Sequence, residues 1–137
     1  MFKEEVELID VFRSTISKNE SPLNIQRTEI EFGHLSGRTD VIGLSHEGEI
    51  IAVEAKLHNW KIALQQAYKN TCYAHYSYVL LPPSKLNPAI KNENEFQRRK
   101  VGLFTLINGE IIILIEAIKT EPFIGRVTAE AYKLLRK

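Results

Sequence analysis

Four segments of the chain are predicted to be helices. The first, residues 4–18, repeats hydrophobic side chains with a helical period, so that one side of the helix would carry Phe2, Val6, Leu8, Ile9, Phe12 and Ile16. Residues 59–75 form the next clear helix, and Asn59 is a suitable residue to cap its first turn. A short helix is predicted over residues 92–100, and a final helix over residues 127–137.

Six stretches between these helices are predicted to be strands. They cover residues 25–32, 38–44, 49–57, 76–81, 101–107 and 110–116. A flexible loop is expected over residues 33–37, and Asn108-Gly109 predicts a tight hairpin between the last two strands. The resulting order, α-β-β-β-α-β-α-β-β-α, predicts an α/β protein with a mixed sheet flanked by helices. We expect residues 1–137 to form one domain.

Composition excludes several classes of protein. Hydrophobic residues make up 44% and charged residues 26% of the 137 positions, which is typical of a globular chain and not of a disordered or collagen-like one. No apolar run approaches the roughly 18 residues of a membrane span, so no membrane partner is expected. A single cysteine, Cys72, forms no internal disulfide and fits a cytoplasmic protein. Because the net charge is only +1, any contact with nucleic acid must come from local basic clusters.

The second and third strands carry the residues with the clearest chemical meaning. If their hairpin closes on a three-residue loop, His46-Glu47-Gly48, with Gly48 in the left-handed conformation, Asp40 lies directly opposite Glu54. Directly opposed side chains have Cβ atoms roughly 4.5–5.5 Å apart. Strand alternation then puts Lys56 on the same face as Glu54.

Two opposed carboxylates repel each other unless a positive charge lies between them. A divalent cation such as Mg²⁺ prefers oxygen ligands of this kind and keeps several of its waters. Lys56 would help to activate the attacking water or stabilise charge on a phosphate. Glu-x-Lys alone is common on half-exposed strands, but here it ends a very apolar strand and faces an aspartate in another. The combination indicates a metal site for phosphodiester hydrolysis.

Residues 2–82 resemble the PD-(D/E)xK nuclease superfamily, whose core is a helix, a hairpin bearing Asp and Glu-x-Lys, a second helix and a further strand. Asp40, Glu54 and Lys56 match its motif, whereas Thr39 stands where the motif has proline. The resemblance implies a restriction-endonuclease-like fold and a nuclease that depends on Mg²⁺ or Mn²⁺. It also implies an acid from the first helix in the metal site.

Two acids are candidates for that third position. Glu5 lies near the middle of the hydrophobic arc of the first helix, where a carboxylate is costly without a partner. It could instead complement the helix N-terminus, and Glu31, on the strand before the hairpin, is a rival. Some branches of the superfamily carry Gln-x-x-x-Tyr on the following helix. Gln66 matches the glutamine, but Asn70 replaces the tyrosine, and Tyr73 shares the face of Gln66 in a continuous helix.

Basic residues near these elements are candidates for phosphate contacts. The predicted nucleic-acid contacts are Arg38, Lys61, Lys69, Arg98, Arg99 and Lys100. A solvated surface is the alternative interpretation for each of them. The leading hypothesis is a nuclease whose substrate is DNA, with RNA as the alternative substrate. A non-catalytic binding or assembly module on the same fold is the alternative, and a homodimer or a partner subunit is expected.

Overall fold

Six strands form a mixed sheet in a computed structural model that describes residues 2–17, 22–35 and 37–137. The strands lie side by side in the order of the chain, as β1 (Ile25–His34), β2 (Gly37–Ser45), β3 (Ile50–Ala55), β4 (Tyr76–Leu80), β5 (Val101–Ile107) and β6 (Glu110–Ile115). The β3–β4 and β4–β5 pairs are parallel, and the other three pairs are antiparallel. Parallel neighbours require crossover connections, which the helices supply.

Within the described residues five α-helices flank the sheet, and apart from an additional helix between β4 and β5 the order of helices and strands is the predicted one. They are α1 (Glu5–Ile16), α2 (Trp60–Asn70), α3 (Leu86–Ile90), α4 (Glu93–Arg99) and α5 (Gly125–Leu135), and a short 3₁₀ helix (Pro83–Lys85) precedes α3. None of the described helices has the length and hydrophobicity that a membrane crossing requires.

The two faces of the sheet are covered differently. On one face, Leu8 and Phe12 of α1 pack with Val53, Tyr78 and Phe104. On the other face, α2, α3 and α4 cover Val79 and Leu103, while α5 covers β2 and β3. Consecutive residues of β3 therefore belong to different cores, as the alternation of side chains along a buried strand requires.

Three expectations about local structure were wrong. Within the flexible loop expected over residues 33–37, Gly33, His34 and Gly37 belong to paired strands, and Ser36 lies outside the described residues. The helix expected over residues 59–75 ends at Asn70, so that Tyr73 lies beyond it, and the ring of Tyr73 packs instead against Phe32 and His34. Helix α3, which contains a single proline, was not predicted. Pro88 is the third residue of α3, where a helix makes no use of the N–H that proline lacks.

The parallel strands β3, β4 and β5 all begin along one edge of the sheet and end along the opposite edge, where an edge means the row of strand ends. The chain leaves β3, β4 and β5 at one edge, immediately before Lys56, Leu81 and Asn108. It enters β5 at the other edge, directly after Lys100. The segment that follows Glu54 therefore lies at the first edge, beside the ends of two other strands.

Candidate active site

The β2–β3 hairpin has the predicted register. The backbone N–H of Ser45 donates to the carbonyl of Glu49 at 2.8 Å, and this pair closes a loop of three residues. Gly48 in that loop has φ +83°, a value at which side chains other than glycine are strained. Val41 pairs with Val53 and Ile42 with Ala52, so the same register places Asp40 opposite Glu54.

The carboxyl groups of Asp40 and Glu54 converge at the end of this hairpin. Oδ2 of Asp40 accepts a hydrogen bond from the backbone N–H of Ala55 at 2.9 Å. Glu54 is only 2% exposed, and its Oε2 accepts a hydrogen bond from Nδ2 of Asn70 at 2.8 Å. The two carboxyl groups are also within hydrogen-bonding reach of each other. A buried pair at this separation favours a state in which the two groups share one proton.

Burial is the main cause of the unusual electrostatics of this pair. It raises the pKa of Glu54 to about 8, and the negative charge of Asp40 acts in the same direction. Burial also raises the pKa of Asp40, but the hydrogen bonds from Ala55 and Glu54 oppose that rise. The positive charge of Lys56 lowers the pKa of both carboxyl groups. The protonated form of Glu54 is therefore favoured at neutral pH.

A chain of buried hydrogen bonds holds the carboxyl group of Glu54 in place. Oγ1 of Thr39 donates to Oδ1 of Asn70 at 2.9 Å, and Asn70 in turn donates to Glu54. The hydroxyl of Tyr73 lies 2.6 Å from Oγ1 of Thr39, and Nε2 of His34 lies 3.0 Å from it. Since the single proton of the Thr39 hydroxyl is used on Asn70, Tyr73 and His34 must both donate to its oxygen. Every bond in this network is then directed toward the carboxyl group of Glu54, which favours cooperative polarisation.

Burial lowers the pKa of His34 and so favours the neutral imidazole, which donates to Thr39 in the tautomer that carries the proton on Nε2. Little in the amino-acid sequence indicates this network. In the sequence, Thr39 is notable only because it replaces the proline of the motif, and Asn70 only because it replaces the tyrosine of Gln-x-x-x-Tyr. The one usable signal was the position of Asn70, four residues after Gln66 and therefore on the same side of α2.

Lys56 and Glu5 approach the pair from the end of β3. The backbone N–H of Lys56 donates to the carbonyl of Leu80 at 3.1 Å, which ties the segment after β3 to β4. The carboxylate of Glu5 accepts a hydrogen bond from the backbone N–H of Leu57 at 3.3 Å, and its negative charge raises the pKa of Asp40. Glu31 instead lies 4.0 Å from the guanidinium of Arg38, and both side chains are about two-thirds exposed. Of the two acids, Glu5 is the one with contacts beside the hairpin carboxyl groups.

Across residues 2–17, 22–35 and 37–137, no three side chains of His, Cys, Asp or Glu gather into a metal-binding group. The candidate site therefore has two converging carboxyl groups, with Glu5 nearby. Gln66 lies one helical turn before Asn70 and is half-buried. Its Oε1 is buried and has no hydrogen-bond partner within the described part of the chain.

The predicted basic residues are spread over the surface. Arg98 and Arg99 pair with Glu95 at 3.3 and 3.0 Å, and with Lys100 they precede β5, at the edge of the sheet opposite the exit of β3. Lys61 and Lys69 are exposed on α2, and Arg38 is exposed on β2. The structure thus does not gather the Arg98-Arg99-Lys100 run around the carboxyl groups, and phosphate contact by these residues stays a prediction.

Comparison with solved structures shows that the fold is shared with nuclease-like proteins. SfsA of Pyrococcus furiosus, solved in complex with Ca²⁺, superposes with a TM-score of 0.51 at 16% identity, over 85% of this chain and 64% of that chain. A repair endonuclease from Pyrococcus abyssi superposes with a TM-score of 0.52 at 18% identity, over 77% of this chain and 48% of that one. The SPO1766 protein of Silicibacter pomeroyi, of unknown function, gives a TM-score of 0.60 at 17% identity, over 99% of this chain and 84% of that chain.

The likeness extends to architecture and not to sequence. The sequence matches no protein-family model and no curated protein. This chain spans about half the length of the endonuclease and just under two-thirds of SfsA. At these identities the comparison establishes a nuclease-like α/β fold, and the chemistry must be argued from the side chains.

Proposed function

We propose that this protein is a metal-dependent nuclease of the PD-(D/E)xK type that hydrolyses phosphodiester bonds in DNA. The observation that carries the proposal is the convergence of Asp40 and Glu54 across one hairpin, with Lys56 directly after the same strand. Taking a buried glutamate and a half-buried aspartate out of water costs stability, and such acid pairs with perturbed pKa values are concentrated at functional sites. The fold shared with SfsA and a repair endonuclease supports this reading.

The residues present fit a divalent cation. Asp40 and Glu54 offer hard oxygen ligands, and Mg²⁺ is commonly held in proteins by one or two carboxylates with several retained waters. The unpartnered Oε1 of Gln66 is a further oxygen on the side of α2 that carries Asn70. When bound, such an ion supplies Lewis-acid stabilisation of charge on the phosphate and lowers the pKa of the attacking water. The Ca²⁺ in the SfsA structure makes divalent cations the natural first probe.

Each residue of the chain then has a defined task. Asp40 and Glu54 hold the ion, and Asn70 keeps Glu54 oriented through its amide. Lys56 stabilises the negative charge that develops on the phosphate. Gln66 would orient water or substrate, and Glu5, whose carboxylate accepts a hydrogen bond from the backbone N–H of Leu57, is the candidate third acid.

Cleavage assays with matched variants test the proposal. Single-stranded, duplex, flapped and four-way DNA, and RNA of the same sequence, would be incubated with Mg²⁺ or Mn²⁺. Lys56→Ala should cut at least about a hundredfold more slowly while binding substrate within a few-fold of the wild type, because it removes a transition-state interaction. Asp40→Asn and Glu54→Gln should be inactive. Asp10→Asn and Lys133→Ala change the same residue types at exposed positions and should retain wild-type rates.

A non-catalytic nucleic-acid-binding module is the second candidate, favoured by the protonated state of Glu54 and by the two-carboxylate site. In that case Lys56→Ala would weaken binding modestly and flatten its salt dependence by about one counterion. The wild-type protein would then cut none of the substrates. Retained binding without any cleavage across the panel would replace the first proposal with this one. A homodimer stays a prediction under both proposals.

A further inference from the structure

A cavity of about 610 Å³ opens at the edge of the sheet where β3, β4 and β5 end. Four short segments form its walls: the residues before α1, the segment after β3, the segment after β4 and the β5–β6 turn. The lining residues that carry the argument are Phe2, Lys3, Leu57, His58, Lys85 and Ile107. The volume falls in the range of roughly 300–1,000 Å³ that is common for small-molecule sites.

The cavity adjoins the candidate active site through the chain itself. Leu57 directly follows Lys56, and its backbone N–H donates to the carboxylate of Glu5. The backbone N–H of Lys56 donates a hydrogen bond to the carbonyl of Leu80. Leu80 lies two residues before Pro82, which is part of the cavity wall. Leu57 is three residues beyond Glu54, so at most about 10 Å of chain separates them. One end of the cavity therefore lies close to the two carboxyl groups.

The lining has an apolar interior and a basic rim. Leu57, Pro82, Pro83, Leu106 and Ile107 provide the apolar wall, and Phe2 adds an aromatic ring. The exposed side chains of Lys3, His58 and Lys85 stand around it, and none of the described lining residues is acidic. This pattern complements a flat apolar ring flanked by negative charge, which is the chemistry of a nucleobase between two phosphates. An apolar peptide would leave the basic rim without a counterpart.

We propose that this cavity binds one unpaired nucleobase, next to the phosphate that is held at Asp40 and Glu54. A base paired within a duplex cannot enter a pocket of this kind without leaving the stack. The preferred substrate is therefore DNA with an unpaired nucleotide beside the scissile bond, at a strand end, in a flap or in a single strand. The inference rests on the proposed function for the position of the cleaved phosphate, whereas base binding itself does not depend on cleavage.

Methyl NMR on metal-free protein tests base binding without any reaction. The probes are a 5′-phosphorylated thymidine dinucleotide and the same compound with one abasic sugar. The methyl signals of Leu57 and Ile107 should shift with the base-bearing probe and stay in place with the abasic one. Equal shifts with both probes would overturn the proposal. So would Ile107 shifts that follow protein concentration alone, since these would identify a second copy of the chain as the occupant.

Matched surface variants locate the binding. Ile107→Ser should weaken dinucleotide binding about tenfold, which corresponds to the loss of about 1.4 kcal/mol. Its control is Ile112→Ser on the neighbouring strand, because Ile107 and Ile112 are 43% and 38% exposed. Lys85→Ala should weaken binding and reduce its salt dependence, whereas Lys91→Ala, an exposed lysine outside the lining, should do neither. Equal effects of a variant and its control would contradict the assignment.

The two proposals fail in different ways. Base-dependent shifts at Ile107 in a protein that cuts no substrate would support base binding in the cavity and contradict the proposed nuclease activity. The opposite result is cleavage that is equally fast with an abasic nucleotide on either side of the scissile bond and is unaffected by Ile107→Ser. It would support the nuclease and contradict base binding in the cavity.

Discussion

At the scale of single residues, Asn70 is the buried amide that joins the candidate site to the rest of the core. Asn70→Leu would leave the hydroxyl of Thr39 and Oε2 of Glu54 without this partner. We expect a loss of about 1–3 kcal/mol in the free energy of unfolding and a Mn²⁺ affinity about 10–100-fold lower. Urea unfolding and calorimetric Mn²⁺ titration measure the two effects. Asn87→Leu, at an exposed position in α3, should change neither, and an unaltered Mn²⁺ affinity in Asn70→Leu would refute the role of the amide.

The raised pKa of Glu54 predicts how the stability of the metal-free protein depends on pH. The folded state favours protonated Glu54, so its contribution is fully present below the ordinary pKa of 4.5 and is lost as pH rises through about 8. Glu54→Gln cannot ionise and should be more stable than the wild type at pH 8.5, with a smaller difference at pH 5. Urea unfolding in EDTA at several pH values measures this. The exposed Glu110→Gln serves as the control, and parallel pH curves for wild type and Glu54→Gln would exclude the shift.

At the scale of elements, the turn of the β2–β3 hairpin sets which residues face each other. Gly48→Ala should destabilise the fold by about 1–2 kcal/mol, because φ +83° brings the new Cβ against the backbone. Gly33→Ala, where φ is not in that region and no atom lies within 4 Å of the added Cβ, is the matched control. Thermal or urea unfolding distinguishes them. If both variants lose the same stability, the turn does not carry the register.

The same hairpin explains why much of the fold could be predicted. Strand residues have a period of two and a three-residue loop fixes their pairing, so Asp40 and Glu54 could be paired from the positions of Gly48 and the apolar runs alone. Asn108-Gly109 likewise forms the expected turn, with φ +52° and +74°. The early end of α2 could not be predicted in this way. It depends on Tyr73 filling a space between Phe32 and His34, which is a packing requirement between distant parts of the chain.

The supporting network was equally out of reach of sequence patterns. His34, Thr39 and the pair Asn70 and Tyr73 come from three segments, β1, β2 and the end of α2 with the turn that follows it, and each is a common residue type in its local context. Periodicity reports which face of an element is buried, but it carries no information on which polar atoms meet across elements. The candidate acids were found because charges inside apolar strands are rare. The residues that hold them were missed because uncharged polar residues are not rare there.

At the scale of the whole molecule, cation binding should raise the free energy of unfolding of the protein. A ligand that binds only the folded state at 100 times its Kd adds about 2.7 kcal/mol. We expect Mn²⁺ at saturating concentration to raise the unfolding free energy of the wild type and of Asp10→Asn. Asp40→Asn and Glu54→Gln should gain little. Urea unfolding with Mn²⁺ or EDTA provides the measurement, and an equal gain in all four proteins would assign the binding to another place on the surface.

The hydroxyl of Thr39 bears on engineering by consensus. The superfamily's motif has proline before its aspartate, so Thr39→Pro would bring this chain closer to the motif. The same change would delete the oxygen on which Tyr73 and His34 converge, and with it the donor that fixes Asn70. A substitution toward that motif is thus expected to disrupt the hydrogen bonds that hold Glu54 in this protein. The residue that departs from the motif is the one that organises the polar network of this candidate site.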